Sequence, residues 1–392
     1  MKVLLLGVGM QGKAALHDLC HNPLVTEVIA ADRDKSAVER YVRERGYAKV
    51  TSAAVDAADQ RSIDALFAEQ PAVAVDLLPV DFLGAVARSA VRHEVHLVNT
   101  FYVVPEVEAA SKDAGEKGVT ILPEFGMDPG IDLVLLGEAL RRMDTVSEVY
   151  SYGSGIPEPS AADNPLKYKI TWTFDGVLRS YKRPSRVMRK GKVVDIPASE
   201  QFAPENVHIV SVAGLGELEA FPNGDATQYA EFVGDKTHLA EMHRYSCRWP
   251  GHAAFWKKMS DLGFLDDEPV DVGGSRVSPR RFVAALLTPQ LQYKKDERDV
   301  AFLRVDVRGT KNGRREKVVF DVLDKKDLAT GFTAMSRTVG FTASIGAGMI
   351  LSGEVSKRGL ASPVRDVPYE AFVAELARRG IAVNVSSGAW DA

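Results

Sequence analysis

The sequence predicts an α/β protein in three parts. A doubly wound parallel sheet covers residues 1–128, an α+β domain with a largely antiparallel sheet covers 129–334, and helices cover 335–392. Three observations predict it. Short apolar runs alternate with helical stretches through the first 130 residues, strand follows strand from about Val146, and a helical pattern resumes near Ala334. A chain of 392 residues also exceeds one domain of ~100–200 residues.

In the first part, KVLLLGVG (2–9) is apolar almost throughout, as a parallel strand buried on both faces must be. A helix follows over about 11–21, then strand EVIAADRD (27–34) and helix KSAVERYVRERG. The alternation continues through AKVTSAAVD, SIDALFAEQ, AVAVDLLPV (72–80), FLGAVARSAVRHE, VHLVNTFY (95–102), PEVEAASKDAGEKG and VTILPEF (119–125). Repeated β-α units make a parallel sheet with right-handed crossovers.

In the second part, VSEVYSYGSG, YKITWTFDG, SRVMRKGKVVDI, HRYSCRW, VAFLRVDVRG and REKVVFDVLD read as strands. Leu303, Val305 and Val307 alternate with Arg304, Asp306 and Arg308, which leaves one face polar or open to a partner. Asn312-Gly313 suits a type I′ hairpin turn. In the third part, MSRTVGFTASIGAGMILSGEV and YEAFVAELARRGI are helical.

Composition excludes several functions. Lys and Arg number 49 against 53 Asp and Glu, a formal charge of −4, so nothing draws the chain to nucleic acid or an acidic membrane. Two cysteines, Cys20 and Cys247, cannot build a disulfide framework. The start, MKVLLLGVGMQGK, is too short in apolar run for a signal peptide, and no stretch reaches the ~18 apolar residues of a membrane span. A cytosolic protein is expected.

Gly7-Val8-Gly9-Met10-Gln11-Gly12 fits G-x-G-x-x-G directly after a strand and opening a helix, the dinucleotide-binding fingerprint of a Rossmann domain. The glycines allow a tight turn and let backbone N–H groups of the Met10 and Gln11 turn approach a pyrophosphate. The second strand ends at Asp32, 32 − 12 = 20 residues past the last glycine, where a carboxylate accepts ribose hydroxyls. That carboxylate repels a 2′-phosphate and favours NAD, while Arg33 beside it is able to hold the phosphate of NADP. Asp56, after the third strand, is placed to border the adenine.

Ligands in an open α/β sheet lie beyond the carboxyl ends of the strands. Tyr102 and Asp128 follow two of those ends, which makes both candidates for proton handling beside a nicotinamide. In LPEFGMDPGID (122–132), Asp128 is also a natural helix N-cap with Pro129 at the first helical position. The loop-like segment 153–172 gathers Asn164, Lys167, Tyr168, Lys169 and Trp172. Arg244 and Arg248, an even step apart in a strand, face the same way and suit carboxylates. No H-E-x-x-H pattern occurs, Cys247 has no evident activating partner, and His17 and His21 read as flanking the first helix, so no metal is expected.

GMDPGID, DNPLKYKITWTFDGVL, FPNGDATQY and HRYSCRWPG together resemble the saccharopine dehydrogenase family, in particular its glutamate-forming members, the saccharopine reductases. Those carry a similar G-[LM]-D-P-G-I-D corner, an N-P-L-x-Y-K-x-x-W segment and a Y-P-N-x-D-S-T stretch. The ending MSRTVGFTASIGAG…SKRGL also resembles lysine 6-dehydrogenase, a relative of the same architecture. The resemblance implies C-terminal helices that return to the first domain, a homodimer, and oxidation of a carbon–nitrogen bond in a lysine-derived amino acid. It places Asp128 and Tyr102 near the reacting centre, Arg244 on a carboxylate, and Asn164, Lys169, Trp172 and Thr227 around the substrate.

Departures leave the substrate open. The reductases read S-Y-C-G-G-L-P where this chain has Ser151-Tyr152-Gly153-Ser154-Gly155-Ile156-Pro157, and they commonly prefer NADP and lack the Asp32 carboxylate. Lysine 6-dehydrogenase has that aspartate but lacks the Asp-Pro-Gly-Ile-Asp corner and the arginine at Arg244. Saccharopine and free lysine both remain candidate substrates. A nucleotide-responsive binding protein without turnover remains a third reading.

Overall fold

The computed structural model describes residues 1–390. It divides into two compact units, one of residues 1–138 and 336–382, the other of 139–335 and the chain from Val383 onward. The sequence pattern predicts divisions at 128/129 and 334/335, with no final return to the second unit.

The first unit opens with β1 (Lys2–Leu6), α1 (Met10–His21), β2 (Glu27–Asp32), α2 (Lys35–Arg45), β3 (Val50–Ala54), α3 (Gln60–Phe67) and β4 (Val73–Asp76). It continues with α4 (Leu83–Arg92), β5 (His96–Asn99), α5 (Pro105–Ala109), α6 (Ser111–Glu116), β6 (Thr120–Leu122) and α7 (Ile131–Arg141). Local chemistry sets the ends. Asp34 caps α2 by accepting from Ala37 N at 3.0 Å, and Gly46 closes it in the left-handed region. All strand pairs are parallel, in the order β3-β2-β1-β4-β5-β6. β1 and β4 are buried almost completely, which explains their unbroken apolar runs.

The second unit contains β7 (Thr145–Pro157), α8 (Phe174–Ser180), β8 (Ser185–Arg189), β9 (Lys192–Ile196), β10 (His208–Val212), β11 (Gly216–Pro222) and β12 (Glu241–Arg248). After these come α9 (His252–Asp261), β13 (Val270–Val272), β14 (Ser275–Val277), α10 (Pro279–Leu287), β15 (Asp299–Lys311) and β16 (Arg314–Lys325). The large sheet runs β10-β11-β12-β7-β15-β16 and is antiparallel except at β12–β7. Asn312 and Gly313 both take positive φ, 50° and 72°, so the expected hairpin turn joins β15 to β16. The polar alternates of β15 are engaged across the sheet. Arg304 bonds to its register partner Asp321 at 2.7 Å and 2.8 Å, and Arg308 reaches Glu148.

Two local expectations fail. YKITW is not a strand: Ile170 N bonds to Leu291 O at 2.9 Å, and Tyr168, Phe174, Tyr181, Phe202, Phe221 and Trp256 gather into an aromatic core. The side chains that looked β-like serve that core. The chain after Ile381 is not helical either, since Val383–Ala389 adds an antiparallel strand beside β16.

The rest of the C-terminal region belongs to the first unit. α11 (Thr342–Ser352) follows a short π-helical turn, Arg337–Phe341. Gly340 lies so close to α1 that a Cβ would overlap the Gln11 carbonyl oxygen. Gly359–Leu360 adds a parallel seventh strand beside β6, and α12 (Tyr369–Arg378) buries Phe372 against Phe125. Among the described residues, no helix is long and apolar enough to cross a membrane.

Candidate functional site

The turn from β1 into α1 is shaped by its glycines. Gly7 takes φ +86° and lies against the Leu77 carbonyl, where a Cβ would stand 2.8 Å from the oxygen. A Cβ on Gly12 would overlap the Gly7 carbonyl oxygen. Gly9 has nothing within 4 Å of its Cβ position, so the middle of the turn faces open space. It caps α1 with no side-chain hydrogen bond. Such a helix end offers its first N–H groups to an anion.

Asp32 stands at the tip of β2. Its Oδ2 accepts from Val8 N at 2.8 Å and its Oδ1 from Asp34 N at 3.1 Å. Each carboxylate oxygen keeps a lone pair for a ribose hydroxyl. These residues fit a dinucleotide. Met10 is exposed and Gln11 half-buried on the first turn of α1, and Arg33 is exposed beside Asp32. Asp56 is exposed and uses Oδ1 to accept from Ala58 N at 3.0 Å, holding its own turn.

Sequence reasoning missed Asp76. It ends β4, paired with Leu6 on one side and Asn99 on the other, where the strand order reverses. It is 0% exposed; Oδ1 accepts from Leu78 N at 3.0 Å, while Oδ2 has no partner. Burial pushes its pKa up to about 7. The available signal was a lone carboxylate closing the apolar run AVAVD.

A raised carboxyl pKa means that Asp76 favours the fold most below its unfolded pKa of ~4. That contribution is lost as pH rises through the folded value of about 7. About three pKa units correspond to roughly 4 kcal/mol. Asp76→Asn keeps the acceptor for Leu78 N and removes the titration. Urea unfolding from pH 5 to 8 therefore shows a smaller loss of stability in the variant, and an equal loss would contradict this account.

Beyond the sheet, two loops run side by side. Phe125 N bonds to Asn99 O and Glu124 N to Phe101 O, both at 2.9 Å, and the Cβ position of Gly126 lies 3.2 Å from Thr100 Cβ. Tyr102 and Asp128 leave this paired segment one and two residues later, and both are half-buried. Backbone pairing thus delivers their two loops to one edge of the first unit.

Asp128 does not cap α7. The helix begins at Ile131, and Asp132 Oδ1 accepts from Gly130 N at 2.8 Å. Gly126 N bonds to Pro129 O at 2.9 Å, and Gly130 takes φ +146°. This corner holds Pro129 outside the helix, which is why the N-cap reading of Asp-Pro fails.

In the second unit, Lys169 is 3% exposed and already paired, with Nζ 2.8 Å from Asp163 and 2.7 Å from Glu297. Two carboxylates of the chain neutralise it where it stands. Asn164 likewise braces its own loop. Its Nδ2 donates to Tyr168 O at 2.7 Å and its Oδ1 accepts from Leu166 N and Tyr168 N. Thr227 donates Oγ1–H to Asp225 at 2.6 Å in the turn that opens a 3-10 segment, and Trp172 is half-buried against the aromatic core.

Arg244 is 4% exposed on β12, with its guanidinium 5.1 Å from the Tyr229 ring centre. Arg248, four residues on along the strand, is also buried. Cys247 lies on the opposite face, where burial raises its thiol to about 12 and leaves it inert. His17 and His21 lie within α1 rather than flanking it, rings 4.3 Å apart, and no metal-holding group of three ligands occurs among the described residues.

Residues 3–122 match the saccharopine dehydrogenase NADP binding domain, and 126–381 the saccharopine dehydrogenase C-terminal domain. The bovine mitochondrial alpha-aminoadipic semialdehyde synthase is 26% identical over 98% of this chain, which spans 48% of that relative's length. The chain thus covers about half of the longer curated relatives it matches. The NADP-dependent, L-glutamate-forming saccharopine dehydrogenase of Pyricularia oryzae is 27% identical, over 95% of this chain and 96% of the relative. The apo structure of the Saccharomyces cerevisiae L-Glu-forming saccharopine dehydrogenase superposes with a TM-score of 0.85 at 22% identity, covering 99% of this chain and 100% of that one, a likeness of fold. With both of its domains matched in order along the sequence, the chain belongs to the saccharopine dehydrogenase family.

Proposed function

We propose that this chain is an NAD(P)-dependent dehydrogenase that oxidises the carbon–nitrogen bond of saccharopine, releasing glutamate and aminoadipate semialdehyde. The observation that carries this reading is the match to a glutamate-forming saccharopine dehydrogenase over 95% of the chain. The Gly7–Gly12 turn and Asp32 would hold the dinucleotide, which when bound accepts a hydride from the carbon bearing the secondary amine. Water adds at that carbon once it is oxidised to the imine, and the carbon–nitrogen bond then breaks. Asp128 takes the proton of the attacking water and returns it to the departing amine, while Tyr102 hydrogen-bonds the reacting nitrogen. Arg244 holds a substrate carboxylate. A cytosolic homodimer completes the reading; both cysteines are free, as a reducing compartment keeps them.

The carboxylate at Asp32 favours NAD over NADP, whatever the preference of the relatives. Replacing Asp32 with Ser removes the repulsion of a 2′-phosphate. The ratio of kcat/KM for NADP to that for NAD is expected to rise by about tenfold or more, or ~1.4 kcal/mol. An unchanged ratio would place cofactor choice elsewhere. Free lysine is the second reading, and one observation favours it: Lys169 is occupied by Asp163 and Glu297, which leaves one cation fewer for a tricarboxylate. Steady-state assays with saccharopine and with lysine separate the two.

A further inference from the structure

The second unit buries a cation without a counter-charge. Arg248 is 8% exposed, and the groups that act on its charge are Tyr181, Tyr168 and Cys247, with no carboxylate among them. Other enclosed arginines differ. Arg379 is held by Asp18, Arg280 by Asp267 and Arg304 by Asp321. Arg248 donates Nη1–H to the Cys247 carbonyl at 2.8 Å and stands 5.5 Å from the Tyr168 ring centre, but its Nε–H has no acceptor.

Three hydroxyls gather at the same place. Tyr168 and Thr171 lie together, both 1% exposed, and neither hydroxyl has a satisfactory partner. The Tyr293 hydroxyl is also buried without one; the Asp299 carboxylate acts on it most strongly among its charged neighbours, ahead of Tyr168, Glu297 and Arg248. The sheet explains the convergence. Ser246 of β12 pairs with Gly153 of β7, Ser154 donates Oγ–H to Cys247 O at 2.7 Å, and Thr171 Oγ1 stands 2.9 Å from the Cβ position of Gly155. An unpaired guanidinium is among the costliest groups to bury, and aromatic rings compensate it only in part. The Arg248 Nε–H and three hydroxyls without an acceptor are complementary to an acceptor-only anion that accepts several bonds at once.

We infer that Arg248, with the hydroxyls of Tyr168, Thr171 and Tyr293, forms a binding pocket for a carboxylate of the amino-acid substrate. The identity of the carboxylate as one end of saccharopine rests on the function proposed above; the pocket itself does not.

The test uses Arg248→Met on the full chain, with glutarate as the probe. Glutarate is expected to raise the melting temperature of the unaltered protein and to leave that of R248M unmoved. The KM for saccharopine is expected to rise by about 10- to 100-fold, the usual worth of a charge-assisted pair, with cofactor affinity unchanged. R248M itself is expected to melt no lower than the parent, because an apolar chain of similar length replaces an unpaired buried charge. An undiminished glutarate shift or an unchanged KM overturns the pocket. Thr171→Val carries the test if R248M does not fold, with a weakened glutarate shift expected and an undiminished one decisive against it. If saccharopine is not turned over while the glutarate shift still depends on Arg248, the substrate reading falls and the pocket stands. Turnover with KM indifferent to Arg248 gives the reverse.

Discussion

Asp128→Asn is expected to lower saccharopine turnover by about 10²- to 10⁴-fold, the usual contribution of a positioned general acid–base. Asparagine keeps the size of the side chain but cannot take up a proton. The corner around it is built from backbone, through Gly126 N to Pro129 O and the positive φ of Gly130, so the substitution leaves that geometry intact. Dinucleotide affinity is therefore expected to stay within about twofold, or ~0.4 kcal/mol, and the melting temperature to stay unchanged. Since α7 starts at Ile131, no helix cap is lost. A variant that kept its rate would remove Asp128 from the chemistry. One that lost rate and stability together would show a structural role instead.

Gly12→Ala is expected to abolish dinucleotide binding and to destabilise the first unit. The added methyl would meet the Gly7 carbonyl, which is backbone and has no rotamer to yield. Gly7 is itself fixed by its close approach to Leu77 and by Gly7 N bonding to Ala31 O at 2.8 Å. Relief therefore requires α1 to move away from β1, which opens the turn that presents the helix N-terminus. Overpacking of this kind costs about 1–3 kcal/mol, and the loss is read as a lower midpoint in urea. Fluorescence of bound reduced nicotinamide should disappear with it. Gly9→Ala is the internal control: its Cβ meets nothing, so it is expected to retain stability and to lose affinity only through crowding of the ligand. Equal affinities for the parent and Gly12→Ala would show that the turn does not bind the cofactor.

The parallel sheet was legible because each buried strand writes itself as an apolar run between amphipathic helices, and the fingerprint glycines fall at its first turn. The β15–β16 hairpin was legible from strict alternation and Asn312-Gly313. Other features depend on contacts between segments far apart in the chain. YKITW has the β-branched and aromatic residues of a strand, yet Ile170 pairs with Leu291 and Lys169 with Glu297, more than a hundred residues away. Val383–Ala389 is short and half polar, and becomes a strand only because β16 offers it an edge.

The site divides in the same way. Asp32 follows from spacing. Asp76 and Arg248 stand out by their burial and missing partners, which no spacing rule reveals. Lys169 and Asn164 stand out in the sequence because polar side chains are concentrated in one loop, and their bonds to that loop's turn and to its carboxylates come from the fold alone.

The most direct test of the central claim is the rate at which the purified protein reduces NAD or NADP with saccharopine and, separately, with free lysine. Reduction with saccharopine is expected, with a preference for NAD that depends on Asp32 and no reduction with lysine. Reduction with lysine alone, or with neither substrate, would contradict the claim.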